Sequence, residues 1–209
     1  MSLKLWHCAG SRSVRPLWTM EEMGLDYELE VMQFPPRFLH PGYAEINPIG
    51  TVPYFVDDKG GPDNIIQMTE SAGISQYLVD RYGPSTLAVE PSEVGYGGYL
   101  NWLHRSDATL TFPQTLVLRY TLLEPEATRL PKVAEDYTKW FYSRLRSVDL
   151  ATADNEFLVA NRFTIADITV GYALYLADTL GLAEGFKPNI KAYYERLKQR
   201  PAFQKAISL

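Results

Sequence analysis

Cys8, Ser11 and Ser13 gather in one short stretch near the N-terminus, with Arg12 and Arg15 beside them. They surround the polar loop Ala9-Gly10-Ser11-Arg12, which joins a strand read over Leu3 to Cys8 to a helix read from about Ser13 to Met23. Hydroxyls and a thiol at such a junction are candidates for hydrogen-bond donation or nucleophilic work. Two of them have a quieter reading: Ser13 as a helix N-cap, and Cys8 as a small buried strand residue. Glu70-Ser71 is a second candidate, because Ser71 opens a helix, where free amides and the helix dipole favour an anion. The plain alternative is a capping Ser71 with Glu70 as a dipole-favoured carboxylate. Val52-Pro53 is a third; on spacing alone it reads as an ordinary trans proline at a strand start. Thr164-x-x-Asp167 is a capping box, with Phe163 and Ile168 at the staple positions. It is expected to start a buried helix and to touch no substrate. His7, His40 and His104 are scattered without metal-ligand spacing, so no metal is expected.

The elements that must hold these groups follow from periodicity. Val14, Leu17 and Trp18 form the apolar face of the first helix. Pro16 sits in its first turn, where a missing N–H costs little, and Gly24 is placed to end it. Asp26 to Val31 alternates acidic and apolar, the pattern of a half-buried strand. A right-handed crossover makes it parallel to the first strand. The stretch from Phe34 to Ile46 reads as irregular, and Asn47-Pro48-Ile49-Gly50 as a turn. Tyr54-Phe55-Val56 and Ile65 to Met68 read as strands of a hairpin turning at Asp57 to Gly61. A helix follows from Ser71 to about Tyr82, with Ile74, Tyr77 and Leu78 inward. Long helical stretches are expected over about 93–122, 131–150, 165–180 and 189–200. The order is β-α-β-β-β-α and then helices, an α+β domain followed by an all-α domain.

The bulk numbers exclude several classes. The chain of 209 residues carries a formal net charge of -5 with 46% hydrophobic residues. It has no basic stripe, so nucleic acid is not an expected partner, nor is an anionic membrane. A single cysteine allows no internal disulfide, which suits a reducing compartment. No signal-like leader or bilayer-length apolar run is read, and a cytoplasmic location is expected.

Three motifs in order carry a family likeness. Asn47-Pro48-Ile49-Gly50-Thr51-Val52-Pro53 followed by Glu70-Ser71 resembles the glutathione-binding signature of glutathione S-transferases. Ser11-Arg12-Ser13-Val14-Arg15 with Trp18, Glu21-Glu22 and Gly24 resembles the first helix of many bacterial members. Phe163-Thr164-Ile165-Ala166-Asp167 resembles the family's C-terminal folding motif. The likeness spans nearly the whole chain. It implies a thioredoxin-like N-terminal domain over residues 1–83, a linker over 84–92 and an all-helical domain over 93–209 carrying the electrophile site.

The resemblance also implies roles. The Val52–Pro53 bond is expected to be cis, leaving the Val52 backbone to pair with the cysteinyl unit of glutathione as an added strand would. The γ-glutamyl carboxylate is expected at Ser71 and its ammonium at Glu70. Glutathione must react as a thiolate, since the neutral thiol is a poor nucleophile. The family places the thiolate's donor in the loop after the first strand. There is no tyrosine there, which departs from the tyrosine-type classes and suits serine-type, theta-like ones. Counting back from Glu22-Met23-Gly24, the usual position falls on Gly10; Ser11 is the first choice, with Ser13 and Cys8 as alternatives. Trp6, Arg12 or Arg15 would shape the thiolate's field, and Arg37 or His40 would meet the glycyl carboxylate. The hydrophobic electrophile is expected against Tyr99, Trp102 and Leu103, with His104, Phe112 and Leu116. The expected activity is glutathione conjugation in a detoxifying homodimer, with reduced glutathione as co-substrate and no permanent cofactor. Rivals are a glutathione-dependent isomerase, dehalogenase or peroxidase, or a non-catalytic glutathione-binding protein.

Overall fold

The computed structural model describes residues 2–209, which fall into two compact units. The first comprises residues up to Ala88 together with Gln199–Leu209, and the second Val89–Lys198.

In the first unit, β1 (Leu3–His7) leads into α1 (Val14–Met23) and β2 (Glu28–Val31). Two short helices, α2 (Pro36–Leu39) and α3 (Tyr43–Ile46), occupy the stretch read as irregular; each is a single turn between glycine and proline breaks. β3 (Tyr54–Asp57) and β4 (Ile66–Met68) form the expected hairpin, and α4 (Ser71–Arg81) follows. The sheet order is β2-β1-β3-β4, with β1 parallel to β2 and antiparallel to β3.

The side chains of β1 alternate faces, as a strand requires. Leu3, Leu5 and His7 are fully buried on one face. On the other, Trp6 meets Tyr54 with ring centroids 5.1 Å apart. Cys8 packs there with Met32, Tyr43 and Tyr54, flanked by Val52 and Val56. α1 ends at Gly24 in the left-handed region (φ 62°), the conformation that favours glycine at a helix terminus. α1 packs on α4, and Thr19 Oγ1 donates to Ser75 Oγ at 2.9 Å across the contact.

The sequence shows no sign that the chain's last helix returns to this unit. Yet α10 (Pro201–Ile207) packs on α1. Phe203 meets Trp18 edge-on at 4.7 Å. Arg200 grips Glu22 with two bonds, of 2.6 and 2.7 Å, and Lys205 pairs with Glu21 at 2.8 Å.

The second unit is helical throughout. α5 (Tyr96–Arg105) and α6 (Phe112–Leu118) belong to the run read as one helix. Wider π-helical turns interrupt it at Ser106–Thr111 and Arg119–Leu123. Pro113 lacks the N–H that would continue the ordinary ladder. Hydroxyls take up main-chain carbonyls instead: Ser106 Oγ donates to Leu103 O at 2.6 Å and Thr111 Oγ1 to Ser106 O at 2.7 Å. α7 (Pro131–Ala151), α8 (Ile165–Thr179) and α9 (Pro188–Lys198) complete the unit. Nearly all of α8 is buried, the mark of a central helix. Its N-terminus carries the capping box: Ala166 N–H donates to Thr164 Oγ1 at 3.2 Å, and Thr164 N–H to Asp167 Oδ2 at 2.9 Å. Among the described residues, no helix is long and apolar enough to cross a membrane.

Candidate functional site

Three sets of candidate groups belong to the first unit, and sheet register brings them to one end of it. Trp6 lies opposite Tyr54, so the loop after His7 and the Val52-Pro53 turn before β3 share an edge. Met68 lies opposite Phe55, which brings the start of α4 to the same end.

Ser11 is half-buried in a tight turn closed by Ser11 N–H donating to Cys8 O at 3.1 Å. Its Oγ lies 2.6 Å from Ser13 Oγ. Ser13 occupies the N-cap position of α1 but makes no side-chain cap. Its backbone is already helical (φ -66°, ψ -13°), so the hydroxyl turns back toward the strand. It lies 2.8 Å from His7 Nδ1 and accepts from Cys8 N–H at 3.3 Å. The capping role expected of Ser13 is therefore replaced by a link between loop and strand. Burial pushes the Cys8 thiol up to about 11, so it stays protonated near neutrality. That chemistry fits the quieter reading of Cys8.

The Val52–Pro53 peptide is cis, as are Phe34–Pro35 and Gly83–Pro84. Neither the N–H nor the C=O of Val52 takes a partner among the described residues, and Val52 precedes β3 rather than pairing within it. The turn is fixed from beneath. Thr51 O accepts from Tyr43 OH at 2.7 Å and from Asn47 Nδ2 at 2.8 Å. Gly50 sits at φ 67°, and a Cβ there would meet Arg37 Cβ at 2.9 Å, so both conformation and space call for glycine.

At α4, Glu70 is the N-cap in extended conformation and Ser71 the first helical residue, a shift of one from a capping Ser71. No side chain caps the helix, and the first backbone bond runs from Ile74 N–H to Glu70 O. Among the described residues the amides of Ser71, Ala72 and Gly73 thus have no protein acceptor. Ser71 Oγ accepts from Arg15 Nη1 at 2.9 Å, and Arg15 is fully buried. A fixed guanidinium therefore reinforces the positive end of α4. Arg15, suggested by the sequence for the thiolate's field, brings its charge to the start of α4 through this contact.

These features supply main-chain hydrogen bonds for an extended ligand, a positive seat for a carboxylate, and a hydroxyl beside it. Residues 1–80 match the family model of the glutathione S-transferase N-terminal domain, and residues 114–207 that of the C-terminal domain. The chain belongs to the glutathione S-transferase family. It is 27% identical to glutathione S-transferase 3 of Schizosaccharomyces pombe, across 95% of this chain and 84% of that one. It is 24% identical to glutathione S-transferase GstB of Escherichia coli strain K12, across 99% and 98%. Among solved structures, its fold resembles a glutathione transferase homolog from Lodderomyces elongisporus with two GSH per subunit. That match has a TM-score of 0.86 and 20% identity, covering 100% and 98% of the two chains. It also resembles the bacterial GST BphK (TM-score 0.84, 22% identity, 98% of each chain).

The remaining candidates take varied positions. His40 Nε2 accepts from Gln33 N–H at 2.9 Å, which ties it to its own loop. Arg37 is exposed, with its guanidinium over Phe38. Tyr99, Trp102 and Leu103 all lie on α5, and all are buried, with Arg105 over the Trp102 ring at 4.9 Å. Phe112 is 47% exposed and meets Tyr137 edge-on at 6.2 Å.

Read from sequence, His7 is weighed only as a metal ligand, and its contact with Ser13 is not anticipated. The signal was available: a strand side chain on the same face as Leu3 and Leu5, six residues before a serine that starts the next helix.

Proposed function

We propose that this chain conjugates reduced glutathione to a hydrophobic electrophile, with Ser11 holding the sulfur as a thiolate. The observation that carries the reading is the pair of main-chain groups on Val52, without protein partners among the described residues, at the same end of the sheet as the unpaired first amides of α4. An extended peptide with an acidic head satisfies both sets at once. The cysteinyl unit would pair with Val52, and the γ-glutamyl carboxylate would sit on the Ser71 amides over Arg15. Glu70 would meet the ammonium. Ser11 would then donate to sulfur, and positioning plus a charge-assisted bond would supply the rate.

The electrophile's surface on the helical unit belongs to the same proposal. Tyr99, Trp102 and Leu103 would underlie it from α5, and the more exposed Phe112 would join it from α6. We place the enzyme in the cytoplasm as a detoxifying homodimer.

The test joins calorimetry with reduced glutathione to an assay with a generic aromatic electrophile. Saturable heat with turnover supports the transferase. Saturable heat without turnover would favour the non-catalytic binder, and no heat would remove the docking mode altogether.

A further inference from the structure

His7, Ser13 and Ser11 form a continuous chain of polar atoms running from the protein interior to the loop. His7 Nε2 lies 3.4 Å from the main-chain oxygen of Leu209. His7 Nδ1 lies 2.8 Å from Ser13 Oγ, which lies 2.6 Å from Ser11 Oγ. His7 and Ser13 are fully buried. Ser13 Oγ also lies 3.5 Å from Cys8 O, longer than its 2.8 Å contact with His7, and one consistent set of directions runs through the shorter contacts. Burial lowers the pKa of His7, so the ring is neutral near pH 7 and carries one N–H. The Leu209 oxygen can only accept, so that hydrogen belongs on Nε2. Nδ1 is then an acceptor and receives the Ser13 hydroxyl. Ser13 Oγ, with Cys8 N–H already donating to it, in turn receives the Ser11 hydroxyl. Ser13 N–H donates to Ser11 Oγ at 3.3 Å, leaving one lone pair of Ser11 facing away from the chain.

In this resting arrangement the Ser11 proton points inward, so Ser11 offers an arriving thiol an acceptor rather than a donor. We propose that the chain carries the thiol proton of bound glutathione to His7. This rests on the reading that reduced glutathione docks with its sulfur at Ser11. The S–H bond breaks as its proton passes to Ser11 Oγ. The Ser11 proton passes to Ser13, and the Ser13 proton to His7 Nδ1. Each oxygen gains one proton and loses one. The products are a thiolate, a Ser11 hydroxyl now donating to it, a Ser13 hydroxyl now donating to Ser11, and an imidazolium. The imidazolium keeps its Nε2–H bond to Leu209. The anion formed at one end compensates the cation formed at the other, which is what an isolated buried imidazolium lacks.

The ring's bonded neighbours are Ser13, at the N-cap of α1, and Leu209 from the C-terminal segment, whose acceptor oxygen favours the protonated ring, and Val31 pairs beside it on β2. The adjacent titratable side chain is Cys8, which burial holds as a thiol. His7 is thus a positioning residue that acts through two hydroxyls without touching the sulfur.

The test follows the ring nitrogens of His7 by long-range imidazole NMR in the full chain near neutral pH, assigned with His40→Gln and His104→Gln. In the free protein His7 should be neutral with hydrogen on Nε2. Saturation with reduced glutathione should protonate both nitrogens, and S-methylglutathione, which has no thiol proton to give, should leave the ring neutral. Ser13→Ala should still bind glutathione by calorimetry but lose about tenfold of the bound-thiolate ultraviolet absorbance at neutral pH, one unit in thiol pKa. A neutral His7 beside a spectroscopically present thiolate would overturn the relay, as would protonation by the S-methyl compound or unchanged absorbance in Ser13→Ala. Wild-type protein that shows no saturable heat with reduced glutathione overturns the docking reading first, and the relay with it.

Discussion

A single hydroxyl and its hydrogen-bond partners decide whether this site can hold an anion of sulfur. Ser11→Ala removes the group nearest the proposed sulfur while leaving Val52 and the α4 amides in place. Turnover should fall about 10- to 100-fold, the worth of one charge-assisted bond, and the dissociation constant for glutathione should stay within about twofold by calorimetry. Unchanged steady-state turnover would remove Ser11 from its role. Cys8 gives the complementary expectation. Its thiol, raised to about 11 by burial, is almost wholly protonated at neutral pH and packed under Tyr43 and Tyr54. Cys8→Ala should keep turnover within about twofold, and native protein should resist thiol-modifying reagents that label the unfolded chain at once. Rapid labelling of the folded protein would show that the packing is wrong. Glu70→Ala should weaken glutathione binding about tenfold by calorimetry, the loss of one ion pair at a helix start. At this scale the sequence revealed which residue types were available and where the loop lay. It could not reveal that Ser13 turns its hydroxyl toward His7 rather than capping α1. That choice depends on backbone angles at residue 13 and on a strand face, and neither is visible in spacing.

The helix starts set the stability of the helical unit's core. Asp167 is fully buried and accepts from Leu158 N–H at 3.0 Å, Thr164 N–H at 2.9 Å and Tyr193 OH at 2.9 Å. Desolvation outweighs these donors and pushes its pKa up to about 6 from an ordinary 3.8. The folded state therefore holds this proton more tightly than the unfolded chain does. The contribution is present below the unfolded value and is lost as pH rises through about 6. Denaturant unfolding of Asp167→Asn should lack that decline between about pH 4 and 6. It should also show a loss of about 2–4 kcal/mol near pH 7, because an amide cannot accept from all the donors now present. An identical pH profile in the variant would assign the decline to other groups. The capping box was legible because its two members sit three residues apart and act locally. The π-helical turns flanking α6 were not, because periodicity sees continuous helix where hydroxyls and Pro113 widen the ladder. The return of α10 to α1 was not legible either, since it rests on the long-range pairs Glu22–Arg200, Glu21–Lys205 and Trp18–Phe203.

At the scale of the molecule, the element order and two-part organisation could be read from turn signals and periodicity, and the three motifs led to the family whose two domain models match residues 1–80 and 114–207. The assignment of residues 199–209 to the first compact unit could not. A homodimer is expected, and sedimentation giving a monomer mass at micromolar concentration would contradict it. The central claim is that the N-terminal unit binds reduced glutathione and stabilises its thiolate. The most direct measurement is a pH titration of thiolate ultraviolet absorbance in the saturated complex. The bound thiol should have a pKa at least about one unit below the free value of roughly 8.5, with the shift lost in Ser11→Ala. A bound thiol that titrates like the free one, or a shift that survives Ser11→Ala intact, would contradict it.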